Sequence, residues 1–349
     1  MAYTDIDKPS DYFNTKLYTG NNTTDHAITG VGFKPDWVWI KSRGSTDQHN
    51  VYDIVRGATK RLVPNTTASE DTNTETIKSF DSDGFTLGNA GNVNDNFNYA
   101  SWNWLASNTT ASNTDGSITS TVSANTTSGF SIVSYTGSGT TSDTVGHGLG
   151  SIDCLIVKSR DEADSWFVKH KDLSSNHNLN LNQTVAQTNV TTAYSEGGLA
   201  DLSGNTFGFL DGTSDANAVN ESGEKHIAYC FKEVKGYSKF GSYTGNGNAD
   251  GTFVYTGFRP AMVIFKNTNS VQDWVIKDNK RPGYNVTDDV LYPNGSYAEG
   301  SGADIDLLSN GFKARTTADN TNQSGSTFIY MCFAENPFVT STGIPTTAR

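Results

Sequence analysis

The sequence is short of the residues that stabilise or anchor a protein by means other than a folded core. Its 349 residues include only three cysteines, Cys154, Cys230 and Cys332, which lie far apart and form no CxxC motif. This spacing excludes a disulfide framework and a cysteine zinc site. No run approaches the ~20 apolar residues that span a bilayer, and the N-terminus carries acids where a secretion signal needs basic and apolar residues. We therefore expect no membrane insertion, and synthesis in a reducing cytoplasm.

Positive charge is scarce as well. Lysine and arginine together number 25 against 37 acidic residues, which gives a net charge of −12. Such a surface repels phosphates, so we expect no nucleic-acid partner. The six histidines form no HxH or HxxxH pair, which predicts no metal site. Walker, dinucleotide and G-x-S-x-G motifs are also missing, so we expect no cofactor and no recognisable catalytic motif.

Aromatic residues, by contrast, are plentiful at 11%, and the chain contains 34 glycines. Short apolar runs are separated by turns rich in Gly, Asn, Asp, Ser and Thr, and helical periodicity is nearly missing. Runs such as WVWI and MVIF are apolar throughout, which is typical of strands buried on both faces. This pattern predicts an all-β protein with antiparallel sheets.

Internal repetition is the strongest feature of the sequence. Tyr-Thr-Gly occurs at residues 18–20, 135–137 and 243–245. Each copy precedes a Gly-led apolar strand that ends in lysine, and each repeat closes with an aromatic strand. The Gly-led strands are GFKPDWVWIK (32–41), GLGSIDCLIVK (148–158) and GFRPAMVIFK (257–266), and the closing strands are YASWNW (99–104), HIAYCF (226–231) and FIYMCF (328–333).

The repeats predict three tandem, related antiparallel β-sandwich domains of a jelly-roll or lectin-like kind. The predicted parts are a first repeat with an N-terminal tail (1–105), a polar Ser/Thr/Asn linker (106–128), a second repeat (129–235), a third repeat (236–338) and a C-terminal tail (339–349). Alternatively, SITSTV within the linker adds an edge strand. We expect the first repeat to be loosely tethered, and one or both tails to dock onto a neighbouring subunit or another protein.

Several of these motifs resemble a known family. DYFNTKLYTG, GFKPDWVWIKSR, DGSITSTVSANTTSGFSIVSYTG, YSKFGSYTGNG, FVYTGFRPA and AENPF are similar to a repetitive module in marine tailed-bacteriophage proteins described as tail-fibre or virion-associated. The resemblance spans nearly the whole chain. It implies a virion setting rather than a reaction, and it carries over no catalytic residues.

Two pairs of charged residues recur at matched positions. Glu70 and Glu299 end PNTTASE and PNGSYAE, but the second repeat has Gln187 at that position. Glycoside hydrolysis needs two carboxylates, so we favour a turn over a catalytic site.

A second recurring pattern predicts an ion pair in a loop, formed by Asp53 with Arg56 and by Asp278 with Arg281. Such a pair is worth about 1 kcal/mol at most if it is exposed. The alternative is a polar patch for a partner.

Recurring lysines and tryptophans are predicted to belong to the fold. Lys41, Lys158 and Lys266 end the Gly-led strands, where a lysine lays its methylenes over the core and leaves its amine in water. Cys230 and Cys332 share one position with Asn103, which indicates a small packing site.

The tryptophans of the first repeat occur in two pairs, and the members of each pair share a strand face. The pairs are Trp37 with Trp39 and Trp102 with Trp104. An aromatic platform for sugars is possible there, but we favour core packing.

We expect a non-enzymatic structural protein of the virion surface, either a tail fibre or appendage or a capsid decoration, in contact with other virion proteins in a multi-copy or homo-oligomeric assembly. A carbohydrate-binding adhesin that recognises host surface polysaccharide is the alternative, and a polysaccharide depolymerase is disfavoured. Ligand contact is expected from the loop residues Tyr194, Tyr284 and Tyr297. No catalytic, cofactor-binding or metal-binding residue is predicted.

Overall fold

The all-β expectation is confirmed. The computed structural model describes residues 4–192, 197–202, 204–212 and 218–337, and its regular structure is almost entirely antiparallel sheet. The first repeat holds a 3₁₀ helix (Pro9–Asp11), β1 (Phe13–Thr19), β2 (His26–Thr29), β3 (Trp37–Ser42), β4 (Asn50–Asp53), β5 (Lys60–Arg61), β6 (Asp71–Thr72), β7 (Ile77–Asp81), β8 (Gly84–Leu87), α1 (Gly91–Asn94) and β9 (Asn98–Trp104).

The chain continues with strands that fall in the predicted linker and the second repeat. These are β10 (Ala111–Asn113), β11 (Ser120–Asn125), β12 (Phe130–Thr136), β13 (Thr144–Gly146), β14 (Cys154–Ser159), β15 (Phe167–His170), β16 (His177–Asn180), β17 (Thr188–Asn189), β18 (Gly198–Leu199), β19 (Thr206–Leu210) and β20 (Lys225–Phe231). The third repeat contains β21 (Ser238–Thr244), β22 (Phe253–Tyr255), β23 (Phe258–Asn267), β24 (Val275–Asp278), β25 (Thr287–Val290), β26 (Gly300–Leu308), β27 (Gly311–Ala314), α2 (Asp319–Asn322) and β28 (Thr327–Pro337).

The three repeats share one strand order. A large sheet runs β1-β9-β3-β4 in the first repeat, β12-β20-β14-β15 within the second, and β21-β28-β23-β24 in the third. A small sheet runs β2-β8-β7, β13-β19-β18 and β22-β27-β26 in the same order, with β25 added in the third. The Gly-led strands of the sequence therefore occupy equivalent places as β3, β14 and β23.

Each large sheet is buried on both faces, which explains its uninterrupted apolar runs. In β3 the side chains of Val38 and Ile40 pack with Ile28 and Phe85 of the small sheet. Alternation along the strand turns Trp37 and Trp39 to the opposite face. The second and third repeats have comparable cores between their two sheets. Each repeat is thus a β-sandwich-like pair of sheets.

The outer faces of the three large sheets share one central core. Trp104, Phe231 and Phe333, which occupy the same position in the three repeats, meet there. The ring centroids of Phe231 and Phe333 are 5.9 Å apart, and those of Trp104 and Phe333 are 5.5 Å apart. The tryptophans of the first repeat pack in this core, as expected, and none is more than 2% exposed. Because the repeats share a core, their division into independently folding domains stays a prediction.

The predicted linker is wrong in its main feature. Residues 106–128 contribute β10 and β11, and β11 pairs with β12 from Thr121↔Ser134 to Asn125↔Phe130. Val122 is buried in the core of the second repeat. The edge-strand alternative is therefore closer to the structure. Alternating small residues in a polar stretch still form a strand when a neighbouring edge offers unpaired backbone groups.

The first repeat is not loosely tethered, because its aromatic face forms part of the central core. The N-terminal segment packs on its own chain: Ile6 is buried in the central core, and the backbone N–H of Asp5 donates to Lys235, at 2.9 Å. This contact joins the N-terminus to the connection between the second and third repeats. Phe338 and Ile344 of the C-terminal tail lie outside the described residues, so docking of that tail stays a prediction.

The Tyr-Thr-Gly motif has a structural role. The hydroxyls of Tyr18, Tyr135 and Tyr243 donate to the carbonyls of Val93, Val219 and Thr321, at 2.5–2.7 Å. At Gly137 a Cβ atom would lie 2.2 Å from the carbonyl oxygen of Glu221, and its counterparts in the other repeats are equally crowded. The glycine is required because the backbone of the following loop lies against it.

Candidate functional site

The repeats contact one another in a cyclic order, first to third, third to second and second to first. One aromatic or histidine side chain of each repeat donates to the carbonyl at an equivalent position of its neighbour. The three contacts are His49 Nε2 to Tyr292 (3.1 Å), Trp274 Nε1 to Asn180 (3.0 Å) and Trp166 Nε1 to Val63 (3.1 Å). His49 Nδ1 accepts from Trp39 Nε1 at 2.9 Å, which assigns the proton to Nε2. Each repeat therefore contacts both of the others through an equivalent hydrogen bond, so the repeats form a closed ring.

The matched glutamates lie at these junctions rather than in an open cleft. Glu70 accepts two hydrogen bonds from Arg160 of the second repeat, at 2.9 and 3.0 Å. Glu299 likewise accepts hydrogen bonds from Arg43 of the first repeat, with Arg43 Nη2 2.6 Å from Oε1. At the remaining junction the backbone N–H of Gln187 donates to Thr268, at 3.0 Å, and no charge pair is formed by these two residues. Sequence reasoning assigned the turn correctly but missed the arginine partners.

The two predicted Asp–Arg ion pairs are formed, and both are wholly buried, so the energy expected for an exposed pair does not apply. Asp53 and Arg56 have no exposed side-chain surface, and neither have Asp278 and Arg281. Each aspartate also accepts from the next repeat: Tyr229 Oη lies 2.8 Å from Asp53, and Trp102 Nε1 lies 3.1 Å from Asp278. The repeated loop closes on a neighbouring repeat, and single-sequence patterns do not reveal such burial.

These carboxylates are poorly suited to acid–base catalysis. Burial opposes ionisation of Asp278, but Arg281 outweighs it and holds the pKa of Asp278 below its ordinary value. A general acid in glycoside hydrolysis requires a raised pKa. Glu299 is also occupied, because Arg281 and Arg43 both donate to it. The arrangement braces the ring and offers no free carboxylate to a substrate.

The amines of the recurring lysines are buried, contrary to the expectation that they reach water. Lys41, Lys158 and Lys266 are fully buried. Each Nζ donates to backbone carbonyls of the turn that follows its strand, for example from Lys158 to Ser159 at 2.7 Å and to Glu162 at 2.8 Å. Burial lowers the pKa of all three to about 8. The lysines hold the turn, which explains their presence in every repeat.

Tyr284, one of the predicted ligand-contact residues, is the most exposed large hydrophobic residue in the described part of the chain, at 87%. It lines a shallow cleft in the third repeat with Arg259, Asn279 and Asn285. The side-chain amide of Asn285 is held by two hydrogen bonds to the backbone of Leu307. It donates to the carbonyl at 3.0 Å and accepts from the N–H at 2.9 Å. The tyrosine ring, the side chain of Asn279 and the half-exposed side chain of Arg259 all line the cleft.

The other two predicted tyrosines are not brought to this cleft. Tyr297 is 62% exposed and packs edge-to-face on Tyr292, with ring centroids 6.3 Å apart. It is not among the residues that line the cleft. Tyr194 lies outside the described residues. The structure therefore places one of the three tyrosines in a concave site.

An exposed aromatic pair was missed by sequence reasoning. Phe253 and Tyr255, on β22, are 44% and 54% exposed. The equivalent residues are Ala27 with Thr29 in the first repeat and Thr144 with Gly146 in the second. Among the described residues, six of the seven exposed large hydrophobics lie in the third repeat. Aligning the repeats would have shown the aromatic pair as a feature of the third repeat alone.

The described ranges give little support for metal binding, for thiol chemistry or for a membrane-spanning helix. No group of histidine, cysteine and acidic side chains there could hold a metal ion. The three cysteines are fully buried, and burial raises the pKa of each thiol. Among the described residues, no helix has the length and apolar character needed to cross a membrane.

The fold and its junctions define the class: an all-β protein in which three β-sandwich-like repeats close into a ring around a shared aromatic core. The chain belongs to the family described as "Domain of unknown function (DUF7483)", whose model matches residues 8–337. That single match covers all three repeats. Comparison with curated proteins and with solved structures found no match.

Proposed function

We propose that this protein is a non-enzymatic component of a bacteriophage particle surface, a tail appendage or a capsid decoration, whose third repeat contacts a partner. The motif resemblance described above supports the virion setting. The charged residues that recur between repeats brace the ring, which supports a structural rather than a catalytic role.

The observation that carries the proposal is the concentration of exposed aromatic and apolar side chains in the third repeat. Exposed apolar side chains that are concentrated in one region of a soluble protein often mark a surface that contacts a partner. The first and second repeats have small residues where the third has Phe253 and Tyr255. A shared scaffold with one divergent surface is what a display protein requires.

The proposal is tested on purified phage particles. Mass spectrometry should detect the protein in stoichiometric amounts, and immunogold microscopy should place it on the outside of the particle. In a complementation assay, the double substitution Phe253→Ala and Tyr255→Ala should lower incorporation or host attachment. Phe97→Ala, at an exposed site in the first repeat, is the matched control. Exclusion of the protein from washed particles would contradict the proposal.

A second candidate function, a carbohydrate-binding adhesin, is favoured by the Tyr284 cleft. An exposed aromatic ring beside an amide side chain suits a sugar, because the ring packs on its C–H face while the amide bonds its hydroxyls. On an array of bacterial surface polysaccharides the protein should bind selected glycans, and Tyr284→Ala should weaken that binding. The release of reducing ends from the bound glycan would instead indicate a depolymerase.

A further inference from the structure

Each junction of the ring has an equivalent region, here called its groove whether it is open or filled. It lies between the ends of the third and closing strands of one repeat and the first strand of the next. The three grooves are therefore related by the repeat, and each is a control for the other two. One of the positions at which they differ is Asp36 in the first repeat, Asp153 in the second and Ala261 in the third.

The groove between the first and second repeats is closed by Asp36. Its carboxylate accepts the backbone N–H groups of Ala106 and Asn108, at 2.7 and 2.9 Å. The chain leading to the β10–β11 hairpin thus passes directly over this carboxylate. The groove is filled by the protein itself.

The groove between the second and third repeats holds an ion cluster, whose residues line cavities of about 170 and 450 Å³. Asp153 accepts the backbone N–H of Glu233 at 2.6 Å, and Lys171 lies 3.2 Å from Asp153 and 3.0 Å from Glu233. Lys239, on the first strand of the third repeat, reaches Glu233 at 2.5 Å. These four charged groups are paired with one another within the protein.

The groove between the third and first repeats, here the 3–1 groove, lacks an aspartate at this position. With Ala261 in place of the aspartate, a cavity of about 210 Å³ is left between the repeats. Its wall includes Phe13 and Thr15 of the first repeat and Asn279, Lys280 and Asn336 of the third. Asn279 also lines the Tyr284 cleft, so the two depressions share a side chain.

Three buried polar atoms of residues at the 3–1 groove find no hydrogen-bond partner among the described residues: Oγ1 of Thr15, Oδ1 of Asn279 and Oε2 of Glu335. The last of these is ion-paired with Arg259, which leaves Thr15 and Asn279. Thr15 is only 8% exposed. Its position is Ile132 in the second repeat and Phe240 in the third, both of which lie in the central core. Buried polar atoms without a partner are destabilising, so a hydroxyl at a position that accepts isoleucine indicates a ligand-facing role.

We propose that the 3–1 groove binds a single neutral sugar ring, or a polyol of the same size, with Thr15 and Asn279 bonding its hydroxyls. This inference rests on the adhesin candidate and gives it a defined subsite, with Tyr284 at the outer edge. The groove is smaller than the roughly 300–1,000 Å³ typical of drug-sized ligands, so it takes one ring rather than a chain. Phe13 and Ala261 supply an apolar surface for the ring's C–H face.

The charges around the groove favour a neutral ligand. Arg259 is paired with Glu335 at 3.0 Å, which leaves Lys280 as the charged wall residue without a described ion-pair partner. Lys280 is exposed at the rim. A threonine hydroxyl and an amide oxygen are neutral groups that bond hydroxyls. A carboxylate ligand would face the acidic surface of a protein with a net charge of −12.

The test uses the full-length protein with methyl α-glucoside, methyl α-galactoside and methyl α-mannoside, followed by saturation-transfer NMR. At least one glycoside should bind saturably. Thr15→Val should weaken its affinity at least about tenfold, because the hydroxyl bond is lost. Ala261→Asp should abolish binding, since a carboxylate there would accept the N–H of Glu335 as Asp153 accepts that of Glu233. Ser131→Ala removes another buried, unpartnered hydroxyl away from this groove and should leave binding unchanged.

The outcomes separate this inference from the adhesin proposal. If oligosaccharide binding depends on Tyr284 but withstands Thr15→Val and Ala261→Asp, the 3–1 groove is not the subsite and the adhesin role stands. If no glycoside and no glycan binds, and water alone fills the groove, both are overturned. Thermal melting of each variant shows whether a loss of binding comes from unfolding. Thr15→Val should not lower the melting temperature, because the other repeats hold apolar residues at that position.

Discussion

The contact between Glu70 and Arg160 allows a direct test of how the junctions stabilise the ring. Glu70 accepts from Arg160 at 2.9 and 3.0 Å and from Arg56 at 3.3 Å, and its side chain is only 11% exposed. Glu70→Gln would leave two poorly hydrated arginines with less negative charge between them. Breaking a buried ion pair from one side costs about 3–5 kcal/mol, and we expect a loss of unfolding free energy in this range.

The chain also provides the matched double variant. At the junction of the second and third repeats the same two positions are Gln187 and Thr268, which join through the backbone without a charge pair. Glu70→Gln combined with Arg160→Thr recreates this uncharged junction. Arg160→Thr alone should cost at least about 2 kcal/mol, because it removes one partner of a largely buried pair. The double variant should be no less stable than Glu70→Gln alone, so the coupling energy should be at least the cost of Arg160→Thr, about 2 kcal/mol.

Urea denaturation at pH 7, in low salt and in 1 M NaCl, measures these free energies. The coupling should persist in high salt because the pair is largely shielded from solvent. Asp11→Asn, which breaks the exposed pair of Lys8 and Asp11, is the control and should cost at most about 1 kcal/mol. Strict additivity of the two junction substitutions would refute the view that these residues act as a brace.

Three further predictions concern the core, the buried lysines and the repeat motif. Trp37→Ala should lower the unfolding free energy by about 3–5 kcal/mol in urea, because Trp37 packs on Tyr229 of another repeat at 4.5 Å between ring centroids; a loss under about 1 kcal/mol would contradict a shared core. The free energy of unfolding should rise between pH 8 and about 9.5. The pKa of Lys158 is about 8 in the folded state and about 10.4 in the unfolded state, so the unfolded state binds more protons in that range. Lys158→Met should flatten this rise in pH-dependent denaturation, and an unchanged slope would contradict the assignment. Gly137→Ala should cost at least about 1–3 kcal/mol by thermal melting, since its Cβ would lie 2.2 Å from the oxygen of Glu221, and a variant of wild-type stability would show that the loop can move away.

The fold was predictable where the pattern is local and repeated. Turn residues between short apolar runs predicted strands, and the recurrence of Tyr-Thr-Gly located equivalent strands in the three repeats. The run WVWI predicted burial on both faces, but it could not show that one face meets another repeat. That information lies in contacts between residues more than a hundred positions apart, such as those between Trp37 and Tyr229.

The candidate site was predictable only in part for the same reason. Tyr284 was selected as a loop aromatic, and the structure places it in a cleft. Thr15 was not selected, because a threonine in a strand is ordinary until its neighbours are known. The signal was nevertheless present: aligned repeats show threonine where the others have Ile132 and Phe240. Comparing repeats for polar residues at core positions would have identified it.

The shared core has a consequence for synthesis at the ribosome. The first repeat emerges with Trp37, Trp39, Trp102 and Trp104 on a face that stays uncovered until the later repeats arrive. Phe333, which completes that core beside Trp104, is made more than two hundred residues later. During this interval two nascent chains can each cover the other's aromatic face with a later repeat, which is the condition for an exchanged dimer. Slow translation, a chaperone, or a partner already bound at that face would then determine whether the ring closes within one chain.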